Sequence, residues 1–214
     1  MGLTHCHPST VLLADFATAR LPVAPSVTVS AHVETCAGCQ AEVAGLEDAE
    51  GDVLESSPDV ALAPGAMSRM LARIDASPAA DPEHHIGRKS LGDVRLPAAV
   101  ASAGLERRKW LAPGLWTAAV RAPRTEGWRT LLLRAPARMR IPKHEHGGRE
   151  LIAVLQGAFR DGHIYAAGDF EEHESGSGHS LAITSDGPCA CLISVQGQAH
   201  WHGWARIVAP LVGM

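Results

Sequence analysis

Aromatic side chains are scarce here: five Trp, three Phe and one Tyr make up 4% of the 214 residues, so any core must be filled by the aliphatic residues of a chain that is 46% hydrophobic. No apolar run approaches the ~18–20 residues of a membrane-spanning helix. The N-terminus also lacks the basic-then-apolar layout of a secretory signal, so the expectation is a cytosolic protein with no membrane partner. Positive charge is not in surplus: 19 Lys and Arg stand against 23 Asp and Glu, a net charge of −4. That argues against direct nucleic-acid binding, which needs a basic face, and leaves open regulation through a protein partner. Five cysteines in a reducing compartment are better used as ligands, sensors or buried residues than as a disulfide framework. The length permits two modest domains or one large one.

Three metal-capable side chains, His32, Cys36 and Cys39, fall within the stretch His32-Val33-Glu34-Thr35-Cys36-Ala37-Gly38-Cys39. On a helix His32 and Cys36 stand one turn apart on one face, and Cys39 follows on the same side, so the three converge without long-range folding. A structural zinc site takes four thiolate or imidazole ligands, and the crowded His5-Cys6-His7 is the natural source of the fourth. The competing reading, a redox dithiol at Cys36 and Cys39, expects a thioredoxin-like βαβ setting; these surroundings read as helical. The pattern resembles the zinc-binding anti-sigma domain, whose signature is an upstream His followed by His-x3-Cys-x2-Cys, over the first third of the chain. The resemblance implies zinc held by His7, His32, Cys36 and Cys39, with His5 and Cys6 as alternates for the upstream ligand.

Helical periodicity begins at Ser9, a plausible N-cap, and runs to Leu21 before Pro22. A second helix is expected from Pro25 through the metal cluster to Leu46, with a kink at Gly38-Cys39. A further amphipathic helix, Gly65 to Ile74, places Met67, Met70, Leu71 and Ile74 on one face. For any single helix such a stripe is ordinarily core, although an apolar helix left uncovered would suit docking of a partner. The Pro- and Ala-rich stretch from Asp75 to Arg88 reads as a linker, with His84 and His85 solvated in it.

Beyond it the pattern changes to short apolar runs broken by Gly and Pro: Trp116–Val120, Trp128–Arg134, Leu151–Leu155 and Cys189–Val195. These read as strands of a sandwich or barrel. On a strand, His144 and His146 point to one face, and a turn at Gly147-Gly148 lets Glu150 begin the next strand facing the same cavity. With His179 added, three imidazoles and a carboxylate can meet. The spacing resembles the two cupin motifs. His144, His146, Glu150 and Gly157 complete the first, and Gly168, Gly176 and His179 stand at positions of the second, with Glu174 where that motif has Pro and Ile183 where it has Asn. The implied metal ligands are His144, His146, Glu150 and His179, a set that suits iron, manganese, nickel or zinc; His173 is the competitor for the last position. Cys189 and Cys191 face the same way on a strand, as small buried residues or as oxidant-sensitive thiols. His163 and His173 are placed in hairpins or loops, and His200-Trp201-His202-Gly203-Trp204 in the packing of a last strand.

The two modules together resemble the ChrR-type anti-sigma factors over nearly the whole chain. That resemblance implies an N-terminal all-α zinc-binding anti-sigma domain (residues 1–78), a linker (79–92) and a C-terminal all-β cupin domain (93–214). It implies one zinc in each domain and no catalysis. The implied partner is an extracytoplasmic-function sigma factor, sequestered by the first domain and released in response to singlet oxygen or related oxidants through the second. The rival is a metal-dependent cupin dioxygenase or isomerase with an N-terminal zinc module, distinguished by an open metal position beside a substrate pocket.

Overall fold

The computed structural model describes residues 6–76, 89–123 and 125–201. The expectations for His5, for His84 and His85 with most of the linker, and for His202 to Trp204 lie outside these residues.

Helix α1 (Thr10–Ala17) opens as its sequence requires, with Ser9 extended and its hydroxyl accepting the Leu12 amide, which satisfies one of the orphan donors of a helix start. It stops short of the expected Leu21. Ala19 takes a left-handed φ of 52°, and the Arg20 and Leu21 amides close back on the Asp15 carbonyl, a capping geometry that ends the helix.

The single helix expected from Pro25 to Leu46 is in fact two, α2 (Val23–Val33) and α3 (Ala37–Glu55), with Cys36 between them at φ −108° and ψ 105°. The break leaves few backbone groups unpaired. The Cys36 amide still donates to the His32 carbonyl, and the Gln40 side-chain amide donates to the carbonyls of Val33 and Glu34. In an unbroken helix His32 and Cys39 would lie about 10 Å apart along the axis; the turn folds them toward one point.

Helix α4 (Ala66–Ala76) does place Met67, Met70, Leu71 and Ile74 on one face, but that face is not core: each of the four is 52–62% exposed, and the helix buries no residue.

Strands β1 (Ser90–Leu91) and β2 (Val94–Arg95) form a hairpin that begins inside the stretch expected as linker. The β-rich region is not wholly β either: α5 (Ala98–Ala103) follows Pro97, in an Ala-rich run with the strongest helix preference available. Then come β3 (Lys109–Ala112), β4 (Leu115–Ala119), β5 (Trp128–Ala135), β6 (Arg140–His146), β7 (Glu150–Gln156), β8 (Ala158–Asp161), β9 (His163–Ala166), β10 (Phe170–His173), β11 (His179–Ile183), β12 (Cys189–Gln196) and β13 (Ala199–Trp201). They make a six-stranded sheet in the order β10-β7-β12-β5-β4-β3 and a five-stranded sheet in the order β13-β6-β11-β8-β9.

The central strands of the larger sheet are buried on both faces. Leu131, Leu133, Ile152, Val154, Cys189, Cys191 and Ile193 join Phe159, Leu181 and Ile183 in the core between the sheets. The intervening Leu132, Leu151, Ala153, Ala190 and Leu192 join Leu12, Leu13, Val29 and Trp116 in a second core under the helices. Helix α2 lies across β5, β7 and β12, so the N-terminal helices form a third layer on the sandwich. At the centre of that contact three buried hydroxyls meet: Ser194 Oγ is 2.6 Å from both Thr28 Oγ1 and Thr130 Oγ1, and Thr130 donates to the Ala24 carbonyl at 2.7 Å.

Candidate metal centres

Among the described residues three groups of ligating side chains form: two sets of four, one on each side of the larger sheet, and a smaller set, Asp161, His173 and His179, that shares His179 with the interior one. In the first, His32 comes from the last turn of α2, Cys36 from the cap of α3 and Cys39 from its first turn, and His7 arrives on the extended segment before α1. His7 Nδ1 lies 3.4 Å from Cys36 Sγ and 3.5 Å from Cys39 Sγ, and Cys39 Sγ lies 3.3 Å from His32 Nε2. An ion held tetrahedrally, with bonds of about 2.3 Å to sulfur and about 2.0 Å to nitrogen, would separate S and N ligands by roughly 3.5 Å. The four donor atoms all lie within 4.8 Å of one another, so they sit close to the corners of such a site. Burial, reinforced by the neighbouring Cys36 thiol, pushes Cys39 up to about 12. A sulfur in that position gives up its proton only to a compensating cation, and the start of α3 adds a favourable dipole. Cys6 takes no part: its sulfur lies 3.4 Å from His163 Nε2, on the far side of the segment.

The second cluster is inside the sandwich. His144 and His146 project from β6, Glu150 begins β7, and His179 begins β11 directly opposite His144 in the β6–β11 register. All four are buried. His144 Nε2 and His179 Nε2 are 3.1 Å apart, His146 Nε2 is 3.1 Å from Glu150 Oε1, and His179 Nε2 is 3.0 Å from Glu150 Oε2. Yet His146 Nε2 and Glu150 Oε2 lack the angles of a hydrogen bond to any partner. The four ligand atoms lie within 4.8 Å of one another, an arrangement a cation would complete. The distal nitrogens are held from behind: His144 Nδ1 by the Pro142 carbonyl at 3.0 Å and His179 Nδ1 by Asp161 Oδ2 at 3.0 Å. Such outer contacts fix the tautomer with Nε2 as the ligating nitrogen.

The electrostatics agree. Burial would raise the Glu150 carboxyl, but His146 and His179 outweigh it and hold it at about 2, so it is ionised. Burial drives His144 down to about 4, keeping it neutral. For His179, burial acts downward and is overcome by Glu150 and Asp161, so it is raised.

Of the two histidines expected in hairpins or loops, His163 sits in the β8–β9 hairpin, paired with Asp161 across its turn, whereas His173 ends strand β10. His173 lies behind His179, its Nε2 3.7 Å from Asp161 Oδ2 and 3.2 Å from Glu171 Oε1. Asp161 and Glu171 carried no spacing signal in the sequence; only the hairpin geometry brings them here. Cys189 and Cys191 are buried with sulfurs 3.6 Å apart, and the Cys189 thiol and burial push Cys191 up. A cavity of about 570 Å³ opens where the helices meet the sheet, lined by His32 and Cys36 on one side and Arg95, Val154 and Asp169 on the other.

Comparison with known proteins gives three findings. A family model described as the ChrR Cupin-like domain matches residues 98–199. The anti-sigma-E factor ChrR of Cereibacter sphaeroides is 29% identical over 218 residues, covering 98% of each chain. The anti-sigma ChrR in the crystal structure of its complex with SigE from Rhodobacter sphaeroides superposes with a TM-score of 0.72 at 30% identity, over 89% of this chain and 98% of that one.

Proposed function

The chain belongs to the ChrR family of anti-sigma factors, and from that premise we propose that it sequesters an extracytoplasmic-function sigma factor through its N-terminal helices and releases it when the metal-bearing sandwich senses singlet oxygen or a related oxidant. The observation that carries the binding half is the uncovered apolar stripe of α4. Met67, Met70, Leu71 and Ile74 are all more than half exposed, and Val53, Leu54, Val60 and Leu62 of the preceding segment are exposed with them. So much exposed apolar surface within one stretch of chain suits helix-in-groove recognition of a protein.

Zinc is the metal that the His7, His32, Cys36 and Cys39 set fits best, and its closed four-ligand site would serve folding, tying α1, α2 and α3 to one point. A second zinc at His144, His146, Glu150 and His179 would be enclosed by side chains only 3–6% exposed. The likeness to anti-sigma factors over nearly the whole chain favours a regulator over the cupin-enzyme reading. The proposed division of labour places sigma binding in residues 1–78 and sensing in 93–214, with the intervening stretch as the connection. The protein would act in the cytoplasm, where a sigma factor is found.

The test is co-purification of the full chain with its cognate extracytoplasmic-function sigma factor, comparing wild type with Met67→Glu/Leu71→Glu. The substitutions should abolish the complex while metal content stays at two zinc per chain. Retention of the complex by that variant would remove α4 from the binding surface.

A further inference from the structure

The four residues of β10 touch both metal centres. It is the edge strand of the larger sheet, and successive side chains point to opposite faces. On one face are Glu171 and His173, whose carboxylate and imidazole lie 3.2 Å apart. His173 is paired in register with the metal-ligand candidate Glu150 on β7, so the two are cross-strand neighbours on one face. It also stands behind the Asp161–His179 pair, 3.7 Å from Asp161 Oδ2. Glu171 is buried, and its Oε2 has no hydrogen-bond partner.

On the other face are Phe170 and Glu172. Phe170 packs edge-on against His32, with ring centroids 5.5 Å apart. Glu172 receives the Ser9 amide and hydroxyl, and Arg149 holds it from the sheet side at 3.2 Å. The outer edge of β10 is covered by the N-terminal segment: the Phe170 amide donates to the Cys6 carbonyl, and the Cys6 amide donates to Asp169 Oδ1. That segment, anchored at Cys6 and at Ser9, has His7 between its two anchor points.

We propose that β10 couples the two centres. Through His173 and Glu171 it supports the ligands Glu150 and His179 of the interior centre; through Phe170 and Glu172, with Asp169 just before the strand, it delivers His7 and braces His32 at the other. Loss or rearrangement of the interior metal shifts β10 and loosens the ligand set that holds the helices together. The inference rests on the reading that both clusters hold a metal, and it supplies the route by which an event inside the sandwich reaches the helical layer. Glu171, Glu172 and His173 act as positioning residues in this coupling.

The experiment uses the full chain loaded with cobalt(II), whose thiolate absorption reports on the Cys36–Cys39 centre alone. Metal analysis of the wild type comes first, and fewer than two ions per chain would overturn the two-centre reading and the coupling with it. Cobalt loss from the thiolate centre to excess chelator is then timed in wild type, His144→Ala, Glu172→Gln and the double variant. His144→Ala should bind one ion fewer and speed loss from the distant thiolate centre about tenfold, within the usual range of coupling between sites. In the Glu172→Gln background that acceleration should largely vanish, whereas combined with Ser194→Ala, which weakens the helix–sheet contact away from β10, it should persist in full. If His144→Ala fails to fold, Asp161→Asn carries the same comparison with a smaller effect. An unchanged thiolate-centre rate in a chain that has lost its interior ion, or an acceleration undiminished by Glu172→Gln, overturns the coupling and leaves the two-centre reading standing.

Discussion

Removing the Ser194 hydroxyl should show that the helices and the sandwich unfold as one unit. Ser194 Oγ is the hub of the buried network: it touches Thr28 Oγ1 and Thr130 Oγ1 at 2.6 Å each and the Ala24 carbonyl at 3.3 Å. Each hydroxyl owns a single proton, so Ser194→Ala removes at most two donated hydrogen bonds, its own and that of Thr28; Thr130 keeps its bond to Ala24. At about 1 kcal/mol per buried bond the cost is ~2 kcal/mol, reduced if Thr28 turns back to its own helix. Thr130→Val removes two bonds, its own to Ala24 and the one it accepts from Ser194, but the Ser194 proton can re-aim at the Ala24 carbonyl 3.3 Å away, so the net cost should be ~1 kcal/mol. For a chain of this size the shifts in Tm are roughly 4–8 °C and 2–4 °C. Thermal unfolding of the metal-loaded chain should be followed by Trp fluorescence, which reports the sheet through the buried Trp116 and Trp128, and by reactivity of the Cys36 thiol, which reports the helices. Both probes should move together and by the same amount. A Cys36 transition that shifts while the Trp transition stays in place would refute the shared-core argument, since the helices would then be melting alone.

Gly157→Ala should be among the most damaging single substitutions, at about 3 kcal/mol or more: at φ +70° an added Cβ would lie 2.2 Å from the Pro188 carbonyl oxygen, and urea midpoints or soluble yield would show it. In the chelator-treated chain, stability should peak near neutral pH. On the acid side the unfolded chain takes up a proton at an ordinary histidine, near 6.5, that folded His144 refuses until about 4, and Glu150's contribution, complete above 4.5, is lost toward about 2. On the alkaline side His179, raised in the folded state, gives up its proton and its contribution with it. Urea midpoints across pH would check this, and a steady rise into alkaline pH would contradict it.

The ligand candidates were legible because their spacings are local. His144 and His146 share a strand face, and Glu150 follows one short turn later. His32, Cys36 and Cys39 lie close enough that even the wrong backbone, one helix instead of two, brought them near each other. The interruption near Cys36 was legible only as a kink placed too late, at Gly38-Cys39, which lie inside the first turn of α3; no Pro marks the true break, and the Gln40 side chain that caps α2 looks like any polar surface residue. The third layer was signalled and missed. Leu131-Leu132-Leu133 and Cys189-Ala190-Cys191-Leu192-Ile193 lack the alternation of a half-solvated strand, and continuous apolar runs mean burial on both faces. The stripe on α4 shows the opposite failure: periodicity reveals that a face is apolar but not what covers it. Asp161, Glu171 and His173 were unreadable as a group because only the β8–β9 hairpin and the β10–β7 pairing bring them behind His179.

The outer face of the larger sheet has consequences for how often this molecule can be used. Leu132, Leu151 and Leu192 are wholly out of water only because the helices lie on them. Any event that lifts the helices away leaves a broad oily plate facing solvent, at a cost of ~1.5–3 kcal/mol for each large side chain bared. A plate of that kind attracts proteases and chaperones and sticks to its like. If the proposed release lifts the helices, the molecule would behave as a fuse: once opened it would be cleared and replaced by synthesis, and the recovery time after a stimulus would be set by how fast the cell makes new copies.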